Sequence, residues 1–383
     1  MQESLGAGRA ELSTAFSLAI VARALSAPAA GAWVDRHGVR ALMTAGSLAG
    51  TALVLAWSAV TSLTQLTVVF VGIGLVTSAV LYEPAFAAVA RWMRDSDRAS
   101  AILWITIAAG LASTIFLPLT ATLSEALGWR EALRWLALLL LVATALPHAL
   151  LLTEPPAHDE EPAPVPRSAA PDPTGDADVD AAERRRAADD AVRRSVPTAD
   201  ALRDRTFWWM TLALLCGRAP MAAIAAHLPA LLVDRGEAAT LAAVVTGAIG
   251  ALSVTGRIVL TIATRWLPMV RLLGIVYLLQ ASGLVLMALV PTRTSALVFV
   301  VLFGIGFGAT TVAKPVMIAD RFGPRWYGAI AGYTAAFVTL AEAASPIAMG
   351  VGRDVAGDYV GVMLWLAALM VLGAFATSRV RGR

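Results

Sequence analysis

The sequence predicts an all-α, multi-pass membrane protein, and three observations carry that prediction. The chain of 383 residues is 58% hydrophobic and 15% charged, whereas a soluble domain carries about a quarter charged residues. Its mean hydropathy is +0.71, and apolar stretches near the ~20 residues that a spanning helix needs recur from end to end. The arginines gather at the ends of those stretches, so the pI of 9.4 reflects topology and not a nucleic-acid surface. Cys216 is the single cysteine, which excludes an internal disulfide. No metal-ligand cluster and no nucleophile–base set emerges, so neither a cofactor nor an enzymatic activity is expected.

Eleven spans follow in order, at about 12–34, 41–61, 65–90, 100–122, 132–153, 207–232, 238–263, 270–290, 295–319, 327–350 and 358–378. Each short connector on one side is basic. The first turn holds Arg36 and Arg40, the next Arg91, Arg94 and Arg98, and the later ones Arg265 and Arg271, then Arg321 and Arg325. Arg379, Arg381 and Arg383 close the chain on that side. The opposite side offers one arginine per segment: Arg9, Arg130, Arg235, Arg293 and Arg353. The asymmetry predicts a cytoplasmic C-terminus in a cell's inner, cytoplasmic membrane.

Residues 155–205 divide the chain. They are rich in Pro, Ala and Asp, with basic clusters at 184–186 and 193–194, and read as a cytoplasmic tether, disordered at first and partly helical later. The expected bundles are therefore 1–154, with five spans, and 206–383, with six. The two sides of the tether resemble each other weakly: "YEPAFAAVARW" lines up with "AKPVMIADRF", a repeat of the kind common in secondary transporters. "LLVDRGEAAT" follows the sixth span, while its counterpart "MQESLGAGRAEL" stands at the start with no helix before it. The repeat thus predicts an absent first helix, from a start codon placed too late or from a truncated product; a real eleven-helix protein is the alternative.

The stretch "GAWVDRHGVR" (Gly31 to Arg40) resembles the loop between helices two and three of the major facilitator superfamily, G-x-x-x-D-R-x-G-x-R. Gly31, Asp35, Arg36, Gly38 and Arg40 carry the match. The resemblance implies a fold of two six-helix bundles, a central substrate cavity, and a latch at this motif that holds the outward-facing state. The second-half copy, "GRIVLTIATRW", has decayed. The stretch "RAELSTAFS" is similar to the monocarboxylate-porter branch, in which an Asp and an Arg stand four residues apart on the eighth helix. Arg257 fills the arginine position and Ser253 stands where the aspartate would be.

Ionisable groups within the spans mark the candidate site, because a charge in hydrocarbon is costly and faces a cavity or a partner. By family order, Glu83, Arg218 and Lys314 fall on the cavity helices four, seven and ten. Lys314 is the only lysine in the chain. Glu83-Pro84 and Lys314-Pro315 occupy equivalent repeat positions, where proline frees a backbone carbonyl beside the charge. Three roles stay open for Lys314: binding a substrate carboxylate, pairing with Glu83 in a gate, or snorkelling. Arg218 lies deeper and can grip a carboxylate through two hydrogen bonds or make a structural contact. Glu83 is a candidate proton carrier or one member of a structural pair, Tyr82 a hydrogen-bonding group, and Arg23 and Glu342 are each expected to make an interhelical pair within the bundle. The glycines at 304–308 and at 72 and 74 read as packing surfaces.

The implied function is proton-coupled symport of a small organic anion, a monocarboxylate, by alternating access, with the protein working as a monomer in lipid. The alternative is a proton-antiport exporter of drugs or metabolites. A membrane sensor, from a different class, would be expected to carry a folded signalling domain. One sequence-level prediction is cheap to check. An in-frame apolar stretch of about 20 codons just upstream of Met1 is expected, and an immediate in-frame stop codon there would remove the late-start reading.

Overall fold

The computed structural model describes residues 9–93, 95–152 and 195–380. Most of the expected tether lies outside the described residues. The rest is helical: α1 (Arg9–His37), α2 (Arg40–Ala59), α3 (Leu63–Val80), α4 (Tyr82–Trp92), α5 (Asp95–Leu127), α6 (Trp129–Leu140) and α7 (Leu146–Leu150), then α8 (Thr198–Arg203), α9 (Arg205–Asp234), α10 (Ala239–Ala263), α11 (Met269–Leu289), α12 (Arg293–Phe322), α13 (Tyr327–Ala356) and α14 (Val360–Arg379). Ten helical stretches among the described residues are long and apolar enough to cross a bilayer. α5, of 33 residues, fills the fourth predicted span. Helices suit this environment because they satisfy their own backbone polar groups where no water can.

Two predicted spans are not single helices, and proline explains both. The span expected at 65–90 breaks at Leu81 (φ −87°, ψ −142°) into α3 and α4. Pro84 has no N–H to offer the Val80 carbonyl, so the ladder fails one residue later. The span expected at 132–153 widens into a π turn at Leu141–Ala145, just before Pro147, which leaves the Ala143 carbonyl short of a donor in the same way.

α1–α7 pack among themselves as one half and α9–α14 as the other, with α1 against α13 and α5 against α10 and α12 joining them. Because the spans alternate in direction, the C-terminal ends of α1, α4, α12 and α14 lie together with the N-terminal ends of α2, α5, α9 and α13. We call this the basic end, and the other the distal end. Large apolar side chains such as Val68, Trp104, Ile347 and Trp365 are exposed, as suits a chain surrounded by lipid.

The halves are joined unevenly along their length. At the basic end one buried cluster runs through both, taking in Val34, Phe86 and Ile102 from the first half and Phe207, Phe322 and Tyr327 from the second. At the distal end the described residues form separate clusters. One, around Leu66, belongs to the first half, and another, around Phe299 and Met363, belongs to the second.

The basic-end junction is backbone against backbone. A Cβ placed on Gly31 would stand 1.9 Å from the Gly328 carbonyl oxygen, and one on Gly332 would stand 2.4 Å from that of Ala27. Small residues permit this approach where helices gain little from hydrophobic driving force. Gly31→Ala is therefore expected to weaken closure of the basic end by about 1–3 kcal/mol, the usual cost of overpacking. The measurement is the rate at which a cysteine replacing buried Val34 reacts with a water-soluble maleimide. A faster rate in the Gly31→Ala background is expected, and an unchanged rate would contradict the close contact.

Candidate functional site

The site is built at the junction of the halves, in layers that begin at the basic end. Gly38, with φ +78°, makes the turn that only glycine enters without strain and ends α1 beneath Asp35. The Asp35 side chain is 1% exposed and reaches across the junction to the start of α13. Its two oxygens accept hydrogen bonds from the Gly328 and Ala329 N–H groups at 2.9 and 2.7 Å. These are donors that a helix N-terminus leaves unpaired, and the helix dipole favours an anion there.

The motif's arginines behave differently from the family expectation. Arg36 is exposed, and Arg40 donates to the Ala149 carbonyl within the first half, at 2.7 Å. The cation beside Asp35 is Arg91, at the end of α4. It donates to Asp35 at 3.2 Å, to the Val34 carbonyl at 2.9 Å and, across the junction, to the Arg325 carbonyl at 3.3 Å. The sequence had offered Arg91 only as one of the topology-setting arginines; its contact with Asp35 depends on how α4 leans on α1. Arg98 adds a further crossing contact, to Asp320 at 3.8 Å.

Outside the spans, Asp204 caps α9 and binds Arg321 at 2.6 Å. Burial pushes its carboxyl up, but the Thr206 N–H and hydroxyl together with Arg321 outweigh that and hold it below the usual carboxylate range.

The next layer joins Lys314 and Glu83. Lys314 lies about 12 Å along α12 from Phe322, at 1.5 Å per residue. Its Nζ donates to Glu83 Oε1 at 3.0 Å, so of the three roles open to it the geometry displays the cross-junction pair. Glu83 is 6% exposed and its second oxygen has no hydrogen-bond partner among the described residues. Arg23 on α1 also acts on Glu83 electrostatically, a second cation in addition to Lys314. Tyr82 stacks on Phe86 at 5.3 Å and lies near Arg257.

Arg257 spans the junction from α10 to α5. It is 5% exposed, and its Nη1 donates to the Thr106 carbonyl at 2.5 Å, while Nε has no partner among the described residues. Among the described residues no carboxylate pairs with it. Gly110 makes room for it, since a Cβ there would meet Nη1 at 2.5 Å.

Arg218 lies deeper, about 20 Å along α9 from Arg205. The structure pairs it with Glu342 on α13, Nε to Oε1 at 2.5 Å, and sets it 5.4 Å from the Phe307 ring on α12. The expected pairing inside the bundle is thus found for Glu342, with Arg218 as its partner. Arg23 remains on the far side of the junction. Helical spacing shows which residues share a face but not which cation on a neighbouring helix meets a given carboxylate.

The family model described as Major Facilitator Superfamily matches residues 1–346. Among solved structures, the chain is similar to the E. coli fucose:proton symporter FucP, with a TM-score of 0.72 at 15% identity over 98% of this chain and 91% of that one. It is similar to the human organic anion transporter MFSD10 (TETRAN), with a TM-score of 0.72 at 20% identity over 96% and 83%. It is also similar to the proton:xylose symporter XylE, with a TM-score of 0.69 at 12% identity over 96% and 86%. No curated protein sequence matches. Likenesses at these identities carry the fold alone.

Removing one member of the Lys314–Glu83 pair leaves the other charge buried. Lys314→Ala is expected to cost about 3–5 kcal/mol, at the low end because Arg23 still faces Glu83, and to lower Tm. The double variant Lys314→Met with Glu83→Gln is expected to recover most of that loss. A double variant as unstable as the single one would show that the pair is not what the site needs.

Proposed function

This chain belongs to the Major Facilitator Superfamily, and on that premise we propose that it carries a small organic anion, a monocarboxylate, across the inner membrane in symport with protons. That the protein is a membrane transporter follows from the family. The substrate and coupling are our reading, and one observation carries it: Arg257 is a buried guanidinium with no carboxylate partner among the described residues. A buried charge answered by only a backbone carbonyl is several kcal/mol out of balance. A substrate carboxylate is the counter-ion that would restore it, through charge-assisted hydrogen bonds. The human relative's description as an organic anion transporter is consistent with that chemistry.

Alternating access supplies the cycle, the two halves rocking about the site. We take the basic end as cytoplasmic, following the arginine asymmetry. The crossing contacts of Asp35, Arg91, Lys314 and Arg257 then seal the cytoplasmic side. At the distal end, the contacts of Arg130 with the Ser58 and Val60 carbonyls and of Arg353 with Asp234 each stay within one half. This conformation is accordingly outward-facing. In it, Lys314 and Glu83 act as a gate, and the anion enters above them towards Arg218 and Arg257.

The test is uptake of labelled lactate and pyruvate by proteoliposomes under an imposed pH gradient. Arg257→Ala is expected to lower uptake at limiting substrate about 10- to 100-fold, the worth of a hydrogen-bonded charge. Arg257→Lys is expected to retain part of it, since it keeps the charge and loses the fork. Unchanged uptake in both Arg257→Ala and Lys314→Ala would remove the anion-site reading.

A further inference from the structure

We propose that Glu342 is the group that takes up the transported proton, and that it does so by competing with the substrate's carboxylate for Arg218. The inference rests on the anion-transport reading above. Among the described residues two carboxylates lie deep in the spans, Glu83 and Glu342. Glu83 is sealed against Lys314. Glu342 lies about 21 Å along α13 from Ala356, and the side chains of Arg218 and Glu342 are 28% and 21% exposed. Two charged heads do not open onto lipid at that depth, so the open face is an aqueous one, from which a proton can arrive.

The local chemistry suits exchange of partners. Arg218 meets Glu342 through Nε alone, leaving its two terminal nitrogens, directed as a fork, for a second carboxylate. With Glu342 ionised, one guanidinium would serve two negative charges. With Glu342 protonated it serves the substrate alone. Pro346 cannot donate to the Glu342 carbonyl four residues back, and Ser345 Oγ bonds that carbonyl instead, at 3.2 Å. The turn that carries Glu342 already lacks one ladder bond, which leaves its side chain room to move.

Other ionisable groups surround α13: Asp35 and Arg91 lie at its start and Arg353 pairs with Asp234 near its end. α9 presents His227, whose Nε2 lies 3.0 Å from the Pro346 carbonyl and whose Nδ1 lies 3.4 Å from Tyr359 of α14. α1 presents Arg23, within electrostatic reach of Glu83. α4 and α12 contribute the Glu83–Lys314 pair, and α8 contributes Asp200 and Arg203 at the basic end. Tyr277 of α11 lies near Arg218.

In the cycle, a proton from the outer water adds to a Glu342 carboxylate oxygen and the Nε–H···O ion pair is lost. Arg218 keeps its own proton and donates to the substrate carboxylate. On the inner side the anion leaves, the Glu342 proton passes to water, and the pair re-forms. One proton and one monoanion cross together, with no net charge.

Two measurements on the full chain test this. In liposomes with labelled lactate and pyruvate, Glu342→Gln is expected to lose about tenfold or more of the pH-driven accumulation, a typical coupling, and to retain exchange of internal for external substrate. Retained pH-driven accumulation in Glu342→Gln would overturn the proposal. If the parent takes up neither acid, it is the anion reading that fails, and Glu342 is then judged by infrared pH titration. The carboxylic-acid band that grows on acidification is expected to vanish in Glu342→Gln and persist in Glu83→Gln; the reverse would overturn the proposal. Glu342→Asp, which keeps a carboxyl, should shift that band without abolishing it, which separates proton uptake from misfolding.

Discussion

A charge carried into hydrocarbon has to be answered by another helix, and the arrangement of this protein follows from how four such charges are answered. Asp35 is met by the amides that begin α13, Glu83 by Lys314, Glu342 by Arg218 and Arg257 by a lone backbone carbonyl. Three of these contacts cross between the halves and one does not. That difference separates groups whose pairing depends on conformation from a pair that travels within one half. A contact that crosses must be broken each time the halves rock. A contact within a half is not broken by the motion itself and is open to exchange by protonation instead.

The two ends of the molecule are accordingly unlike. Crossing polar contacts and a shared apolar cluster coincide at the basic end, whereas the apolar clusters described at the other end each belong to one half. Rigid ties within each half at the distal end, such as Arg130 on two carbonyls and the His227 contacts, leave each half a coherent body there. Rocking then demands rearrangement mainly where the two bodies meet.

Much of this was legible in the sequence because hydrophobic length and charge position are local properties. All eleven predicted spans are helical, and the repeat-related Glu83 and Lys314 meet. What was not legible depends on the angle between helices. The motif supplied Asp35 with Arg36 and Arg40 as neighbours in sequence, yet Arg91 on another helix is the one that reaches it. Glu342 and Arg218 lie far apart in the chain, and apolar periodicity does not say which cation faces which carboxylate. The break at Leu81 was open to prediction, since Pro84 alone forbids the Val80 bond.

The glycine crossing of α1 and α13 has a further consequence. Where Gly31 meets Gly328 and Ala27 meets Gly332, the touching surfaces are main chain, with no interlocking side chains that would have to change rotamer to let one helix turn on the other. Such a joint behaves as a plain bearing: it fixes where rotation occurs while setting little preference for angle. The preference then resides in the polar contacts around its rim. The balance between states is therefore set by a handful of hydrogen bonds and ion pairs, which membrane potential, local pH or a bound anion can tip without disturbing the packing that holds the halves together.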